Sequence, residues 1–258
     1  MVNIAVMGYG TVGSGVVEVI DTNGKRINQR IGEELNIKYV LDLKDFPGNP
    51  VQEKIIHDFE TIINDEDIQI VVEVMGGIEP AYTFVKRCLL AGKCVATSNK
   101  ALVAKHGAEL LRIAKEKNVN FLFEASVGGG IPILRPLHSS LTGDVIEEIT
   151  GILNGTTNYI LTRMFEENMD FGEALEGAKE LGYAEADPTA DIEGLDAGRK
   201  MAILASTAFH SPVVFDDVYT EGITKISSSD IKYAKEFDCV IKLLGIARER
   251  QEQIEVYV

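Results

Sequence analysis

The chain has 258 residues, which allows two ordinary domains, because cores larger than roughly 250–300 residues split into units of about 100–150. Its 45% hydrophobic and 25% charged residues exclude a disordered chain and indicate a packed core. The 40 acidic and 25 basic residues give a formal charge of −15, so we expect neither nucleic acid nor an anionic membrane surface as a partner.

The cysteines and the apolar runs argue against an exported or membrane-bound protein. Cys88, Cys94 and Cys239 are odd in number and lack metal-ligand spacing, so the sequence predicts neither a disulfide framework nor a zinc site. The N-terminus lacks the basic start and cleavage site of a signal peptide. No run approaches the ~18 apolar residues of a membrane span. We therefore expect a cytoplasmic protein.

Strand and helix patterns alternate in the first half of the chain. Apolar runs predict strands over 2–7, 36–41, 68–75, 93–97 and 120–127. Helical patterns follow at 12–20, from Pro80 to Gly92, and over 100–117. Because the connections are too long for hairpins, the strands should form a parallel sheet covered by helices. The pattern over residues 1–128 therefore predicts a doubly wound α/β domain of the Rossmann type.

A second domain of different construction is predicted over residues 129–258. The pattern indicates a helix near 134–140, a strand over 145–153, and helices around Tyr159, Leu175 and Met201. Residues 253–258 alternate like a strand that lacks a closing turn. We expect an α+β domain that is incomplete at its C-terminus.

The first motif that carries chemistry is the hexapeptide Gly8-Tyr9-Gly10-Thr11-Val12-Gly13, between a predicted strand and a predicted helix. Gly8 permits a tight turn, Gly10 lets the backbone approach a pyrophosphate, and Gly13 lets the helix pack closely. The free N–H groups of the helix start attract negative charge. In this context the motif predicts dinucleotide binding; the alternative is a glycine turn in another α/β protein.

Three further residues follow predicted strands at the edge where such sheets bind ligands. Asp42 ends the second strand after an insertion over 23–35 and fits the adenosine ribose of NAD, although an acid at a strand end is often merely solvated. Lys44 fits the ribose phosphate of NADP, so both cofactors stay open. Lys100 follows the fourth strand and either handles a proton or is an ordinary solvated lysine.

A dense group of carboxylates lies in residues 181–200, LGYAEADPTADIEGLDAGRK. The segment ends on a helix predicted to begin near Leu195, which places Asp196 and Lys200 one turn apart on the same face. Such a pair is ordinarily a solvent-exposed ion pair that contributes little to stability. The alternative is a proton-transferring lysine, which the positive end of the helix favours.

Five motifs together resemble homoserine dehydrogenases. In chain order they are GYGTVGSGV from Gly8, TSNKALVA from Thr97, EASVGGGIPI from Glu124, GILNGTTNYIL from Gly151 and LGYAEADPTADIEGLDAGRK from Leu181. The resemblance implies NAD- or NADP-linked interconversion of L-homoserine and L-aspartate 4-semialdehyde, on the route to threonine, isoleucine and methionine. It also implies a homodimer or higher homo-oligomer, with the second domain serving catalysis and dimerisation.

Residue roles follow from the resemblance by position. The implied catalytic residues are Lys100, Lys200 and Asp196. The implied substrate-binding residues are Glu185 for the amino group, Tyr183, Asp191, Asn154, Gly155 and Thr156. The implied cofactor-binding residues are Gly8, Gly10, Thr11, Val12, Gly13, Asp42, Thr97 and Lys100. A monovalent cation, usually sodium, is implied at Glu124 and the carbonyl groups of Val127, Gly129 and Ile131.

Two expectations remain open at this point. Residues 154–157 either supply backbone N–H donors to a ligand or form a helix start that is capped by Thr156 or Thr157. Family members continue past position 258 with more of the dimer-forming sheet, a return segment over the cofactor and often an ACT domain. We therefore expect this chain to fold but to bind cofactor loosely and turn over poorly.

Two other functions compete with the dehydrogenase. A cysteine-dependent semialdehyde dehydrogenase needs a nucleophilic cysteine beside a histidine, and no motif surrounds the cysteines here. A non-catalytic NAD-sensing module fits the first domain, but it leaves the carboxylates of residues 185–196 unexplained.

Overall fold

Residues 1–251 and 253–258 are described by a computed structural model. The chain divides into two compact units, Met1–Ile133 and Leu134–Val258. Within the described residues, no helix is both long and apolar enough to cross a membrane.

The first unit is a parallel six-stranded sheet with strand order β3-β2-β1-β4-β5-β6. Its strands are β1 (Val2–Met7), β2 (Leu35–Leu41), β3 (Ile55–Ile56), β4 (Ile68–Glu73), β5 (Cys94–Thr97) and β6 (Phe121–Leu122). Its helices are α1 (Thr11–Ile31), α2 (Glu60–Ile63), α3 (Ala81–Leu90) and α4 (Lys100–Lys117). The order reverses between β1 and β4, which opens the crevice where doubly wound sheets bind ligands. The predicted α/β fold class is confirmed.

Aliphatic side chains make the core of this unit. Ile4 and Val6 of β1 pack with Ile37 and Val40 of β2 and with Val17 of α1, all at most 7% exposed. β-Branched residues suit this position, since they pack well on a pleated surface. The helix and the two strands that flank the glycine motif are therefore fixed by the same cluster.

Two predicted elements of the first unit have other bounds in the structure, and β3 and α2 were not predicted. Helix α1 continues to Ile31 and ends at Gly32 in a left-handed conformation, so most of the expected insertion over 23–35 is additional helix. Strand β6 covers only Phe121–Leu122, and a 3₁₀ turn at Glu124–Ser126 replaces the rest of the expected strand. This edge strand pairs with β5 at two positions only, and pairing rather than apolar content decides where a strand ends.

The second unit combines helices with a three-stranded antiparallel sheet of order β7-β8-β9. Its strands are β7 (Glu148–Gly151), β8 (Gly245–Arg250) and β9 (Gln253–Tyr257). Its helices are α5 (Gly155–Glu167), α6 (Phe171–Glu180), α7 (Thr189–Ile192), α8 (Leu195–Ala208) and α9 (Ser228–Glu236), and a π-helical turn covers Pro136–Ser140. Sequence reasoning missed β8, α7 and α9. The α+β class of this unit is as predicted.

Candidate active site

The glycine motif forms the turn between β1 and α1. Gly8 has a φ of +100°, a conformation that glycine adopts without strain. A Cβ on Gly13 would lie 1.9 Å from the Gly8 carbonyl oxygen, so only glycine allows α1 to approach the turn this closely. A Cβ on Gly10 would meet no atom within 4 Å. Thr11 and Val12 begin α1 and are exposed. The open side of Gly10 and the first N–H groups of α1 fit a pyrophosphate.

Asp42 follows β2 and binds the glycine turn. Its Oδ2 accepts a hydrogen bond from the backbone N–H of Tyr9 at 2.7 Å, and its Oδ1 accepts from the N–H of Lys44 at 3.0 Å. The structure therefore brings Asp42 against the predicted cofactor turn. Nδ1 of His57 donates to the Asp42 carbonyl oxygen at 2.7 Å, and this bond, followed by attraction to Asp45, raises the pKa of His57.

Thr97 lies at the end of β5 in a buried network that sequence reasoning missed. Its Oγ1 donates to Oε2 of Glu73, the last residue of β4, at 2.5 Å and accepts from the backbone N–H of Asn99 at 2.9 Å. Asn99 caps α4, and Lys100 is the first residue of that helix. The only signal for Glu73 in the sequence is an acidic residue at the end of the apolar run IQIVVE.

Residues 124–133 make a tight turn that contains the expected cation ligands. Oε1 of Glu124 accepts from the N–H of Ile133 at 2.6 Å. A Cβ on Gly128 would lie 2.6 Å from the Ile131 carbonyl oxygen, so the backbone folds back on itself. Within the described chain, the carbonyl oxygens of Val127, Gly129 and Ile131 accept no hydrogen bond. Oxygen donors of this kind fit a hard monovalent cation.

The carboxylate-rich segment forms a network around the start of α8. Nζ of Lys200 lies 2.7 Å from Oδ2 of Asp196 and donates to the Leu153 carbonyl oxygen at 2.9 Å. Nδ2 of Asn154 donates to Asp196 at 3.0 Å and to Asp191 at 2.6 Å. Only 5% of the Asp196 side chain and 16% of the Lys200 side chain are exposed. The interpretation as an exposed ion pair is therefore wrong.

Asn154 also begins α5. Its Oδ1 accepts hydrogen bonds from the backbone N–H and from Oγ1 of Thr157 at 2.8 and 3.0 Å. The cap is thus Asn154, and the alternative that assigned it to Thr156 or Thr157 is wrong. Because the Asn154 side chain is fully used, the groups left for a ligand are the first backbone N–H groups of α5, at Gly155 and Thr156, which have no intrahelical partner.

The other expected substrate residues lie on the segment before α7. Thr156 Oγ1 donates to the carbonyl oxygen of Tyr183 at 2.7 Å, and the Tyr183 ring lies 5.0 Å from that of Tyr159. The side chain of Glu185 is exposed, and in the described part of the chain it has no hydrogen-bond or ionic partner. The structure therefore joins Thr156 to Tyr183, while Glu185 stays outside the lysine–carboxylate network.

The environment of Cys88 does not suit a nucleophile. All three thiols are free. Cys88 is fully buried in α3, and burial raises its pKa to about 12. A thiol with that pKa is protonated at neutral pH and does not attack a carbonyl group.

The sheet order and the glycine turn at its switch point are those of a dinucleotide-binding α/β domain. The second unit, of the α+β class, contains the buried lysine network. Two family models match the chain: "Homoserine dehydrogenase, NAD binding domain" over residues 8–124 and "Homoserine dehydrogenase" over 132–258. The chain belongs to the homoserine dehydrogenase family.

Individual relatives agree with the family models. A homoserine dehydrogenase of Corynebacterium glutamicum is 48% identical over 250 residues, which cover 96% of this chain and 56% of the relative. The crystal structure of a homoserine dehydrogenase from Thiobacillus denitrificans matches with a TM-score of 0.94 at 41% identity. The match covers 100% of this chain and 60% of the Thiobacillus denitrificans chain. A hyperthermophilic archaeal homoserine dehydrogenase in complex with NADPH matches with a TM-score of 0.82 at 29% identity. This match covers 99% of this chain and 80% of the archaeal chain.

The chain is shorter than these curated relatives. It spans 56% of the Corynebacterium glutamicum protein and 60% of a Bacillus subtilis homoserine dehydrogenase that is 44% identical.

Proposed function

We propose that this chain acts as a homoserine dehydrogenase, which interconverts L-homoserine and L-aspartate 4-semialdehyde with NAD or NADP. The observation that carries the proposal is the buried pairing of Lys200 with Asp196, in a chain whose family is established. Family membership supports the substrate, and the pairing supports proton transfer by a lysine.

Lys200 is the residue that we assign to the proton of the substrate oxygen. When bound, the nicotinamide cofactor supplies or accepts the hydride at the reacting carbon. The oxygen that gains negative charge needs a proton or a positive neighbour, which an ammonium group at hydrogen-bond distance provides. Asp196 and the Leu153 carbonyl hold the Lys200 ammonium in one orientation, so it is in place before substrate arrives. Lys100, at the start of α4, is the second lysine assigned to the carbonyl group.

Substrate recognition is assigned to the segment before α8. We assign the substrate amino group to Glu185, because its exposed carboxylate has no partner within the described residues. Tyr183 and Asp191 complete the substrate contacts, and the backbone N–H groups of Gly155 and Thr156 offer donors to a carboxylate or carbonyl oxygen.

Cofactor binding is assigned to the first unit. The turn at Gly8, Gly10 and Gly13 holds the pyrophosphate, with Thr11 and Val12 at the helix start. Asp42 supports the ribose, and Thr97 lies at the carboxyl end of β5. The NADPH complex of the archaeal relative supports a nicotinamide cofactor, and the choice between NAD and NADP is left to experiment.

Three further expectations belong to the same proposal. Glu124 and the carbonyl groups of Val127, Gly129 and Ile131 hold a sodium ion, whose charge would keep that turn in one conformation. The functional protein is a homodimer or larger homo-oligomer. It works in the cytoplasm, which the three free cysteines support.

The proposal is tested by mixing the purified chain with L-aspartate 4-semialdehyde and either NADH or NADPH, and by following the nicotinamide absorbance. We expect oxidation of at least one reduced cofactor. Lys200→Ala should abolish it while the dissociation constant of the cofactor stays within about threefold, because the lysine acts on the substrate oxygen. Lys225→Ala is the matched control, because Lys225 is exposed and pairs with Glu221 at the same sequence spacing as Lys200 with Asp196.

Two results would contradict the proposal. Unchanged turnover in Lys200→Ala would remove this lysine from the reaction, and the absence of turnover with both cofactors would remove the activity from this chain. Loss of activity after thiol alkylation of the wild type would favour the cysteine-dependent dehydrogenase instead. Cofactor binding without turnover would favour the NAD-sensing module.

A further inference from the structure

We propose that Glu73 is a positioning residue, which aligns the glycine turn of the cofactor site with the segment that carries Lys100. The inference rests on the proposed function, since it assigns a role to a residue beside that same site. Neither the motifs of the family nor the spacing of residues in the sequence singles out this carboxylate.

The burial of Glu73 calls for an explanation. It ends β4, a strand that is otherwise apolar except for Gln69, and its side chain is 0% exposed. Burying a carboxylate is costly unless hydrogen bonds replace its water. In the parallel pairing of β4 with β5, Glu73 lies opposite Thr97, so both residues stand at the edge of the sheet where ligands bind.

One oxygen of Glu73 fixes the loop after β4. Its Oε1 accepts a hydrogen bond from the backbone N–H of Met75 at 2.8 Å. The backbone of Met75 is also the surface on which the glycine turn rests, because a Cβ built on Gly8 would lie 3.1 Å from Met75 Cα. Through this contact the carboxylate sets the height of the cofactor turn above the sheet.

The other oxygen fixes the start of α4. Oε2 accepts from Oγ1 of Thr97, and Thr97 Oγ1 accepts in turn from the N–H of Asn99. Asn99 then caps the helix, since its Oδ1 accepts from the N–H of Leu102 at 3.1 Å. The next residue along the chain is Lys100, whose backbone therefore follows the position of this cap.

A further hydrogen bond links the loop after β4 directly to the start of α4. Nδ2 of Asn99 donates to the carbonyl oxygen of Gly77, in the loop that Glu73 holds through Met75. The loop after β4 and the start of α4 are therefore linked by hydrogen bonds, and the Glu73 carboxylate bonds to both segments.

A carboxylate, rather than an amide, is needed at this position. Both groups that contact Glu73 are donors, the N–H of Met75 and the O–H of Thr97. A glutamine offers one acceptor and one donor, so its NH₂ group would face either an N–H or a hydroxyl. The Thr97 hydroxyl oxygen has two lone pairs and could accept from this NH₂ group as well as from Asn99, but its own O–H would then lose the acceptor that Glu73 supplies. Glu73→Gln thus keeps the volume and leaves one donor of the network without its acceptor.

The test measures the environment of Lys100 directly. Lysines of the folded chain are reductively methylated with ¹³C, and the Lys100 signal is assigned by its loss in Lys100→Arg. We expect Glu73→Gln and Thr97→Val to shift this signal, and Thr97→Ser, which keeps the hydroxyl, to leave it near the wild-type position. Where the wild type turns over, Glu73→Gln should lower kcat by about 100-fold, the effect of misplacing a reacting group by about 1 Å.

A matched control separates positioning from general loosening. Lys93 is 5% exposed at the opposite end of β5, where its Nζ donates to the carbonyl oxygens of Asp65 and Ile68. We expect Lys93→Met to lower the unfolding temperature without moving the Lys100 signal.

Several outcomes would overturn the inference. An unchanged Lys100 signal in folded Glu73→Gln and Thr97→Val would do so, as would an equal shift in Lys93→Met. If circular dichroism shows that Glu73→Gln does not fold, the two Thr97 variants decide the question. A wild type without turnover counts against the proposed function alone, because the spectroscopic comparison needs no activity.

Discussion

Oδ2 of Asp196 lies 2.7 Å from the ammonium nitrogen of Lys200, one helical turn away, with only 5% of the Asp196 side chain exposed. Removing one partner of a buried pair leaves an uncompensated charge, which costs about 3–5 kcal/mol. We expect Asp196→Ala to lower the free energy of unfolding by about this amount in urea denaturation. Glu221→Ala breaks an exposed pair of the same spacing with Lys225 and should cost less than about 1 kcal/mol. Equal losses would mean that burial does not govern the Asp196 pair.

The amide nitrogen of Asn154 bridges two carboxylates, since it donates hydrogen bonds to both Asp191 and Asp196. Asn154→Asp keeps the capping oxygen of α5 but adds a third carboxylate to the cluster. We expect lower stability than wild type at pH 7, with the difference shrinking as the pH falls and the carboxylates take up protons. Asn154→Ser also removes the amide donor but adds no charge, so its stability loss should vary less with pH than that of Asn154→Asp. Identical pH profiles for the two variants would argue against carboxylate repulsion.

Alanine substitutions at Gly13 and Gly10 should have different effects, the first on packing and stability and the second on cofactor binding. A Cβ at Gly13 would meet the Gly8 carbonyl oxygen at 1.9 Å, so we expect Gly13→Ala to lower the free energy of unfolding by about 1–3 kcal/mol. A Cβ at Gly10 meets open space, so Gly10→Ala should keep wild-type stability and yet weaken NADPH binding, because its methyl group would lie where we propose that the pyrophosphate binds. Thermal unfolding and fluorescence titration with NADPH measure the two effects. Tight NADPH binding by Gly10→Ala would place the pyrophosphate elsewhere.

Cys88 should resist alkylation in the native protein. Its pKa is raised to about 12 by burial, and the thiolate is the reactive form. We expect iodoacetamide to label the exposed Cys239 within minutes at about pH 8, and Cys88 only after denaturation. Peptide mass spectrometry identifies the labelled site, and Cys88→Ser confirms the assignment. Rapid labelling of native Cys88 would contradict its burial.

His57 should make stability depend on pH. Its pKa is raised, first by donation to the Asp42 carbonyl oxygen and then by Asp45. The folded pKa therefore exceeds the unfolded value of about 6.5, so the stabilisation is complete below that pH and is lost as the pH rises through the folded pKa. We expect the difference in unfolding free energy between wild type and His57→Ala to shrink between about pH 5.5 and pH 8.5. A difference that is constant over this range would contradict the raised pKa.

Local signals account for the elements that were predicted well. The bounds of β1 (Val2–Met7) and α4 (Lys100–Lys117) match the prediction. Helix α4 has its boundary signals in the chain itself: Asn99 caps its start and Asn118, in a left-handed conformation, ends it. Strand β3 was missed because two residues are too few to show a pattern, and α9 was missed because it is weakly apolar, although Ser227 and Asp230 form a capping box at its start.

The sequence by itself determined the glycine turn, the α/β alternation and the family, because each depends on neighbouring residues or on motifs that stay in chain order. Only the tertiary structure decided that Asp196 and Lys200 are buried and that Glu73 joins two loops. These properties depend on partners far apart along the chain, such as Leu153 and Lys200 at a separation of 47 residues. Residue spacing within a helix fixes which side chains are adjacent, whereas exposure to solvent is set by the segments that fold over them.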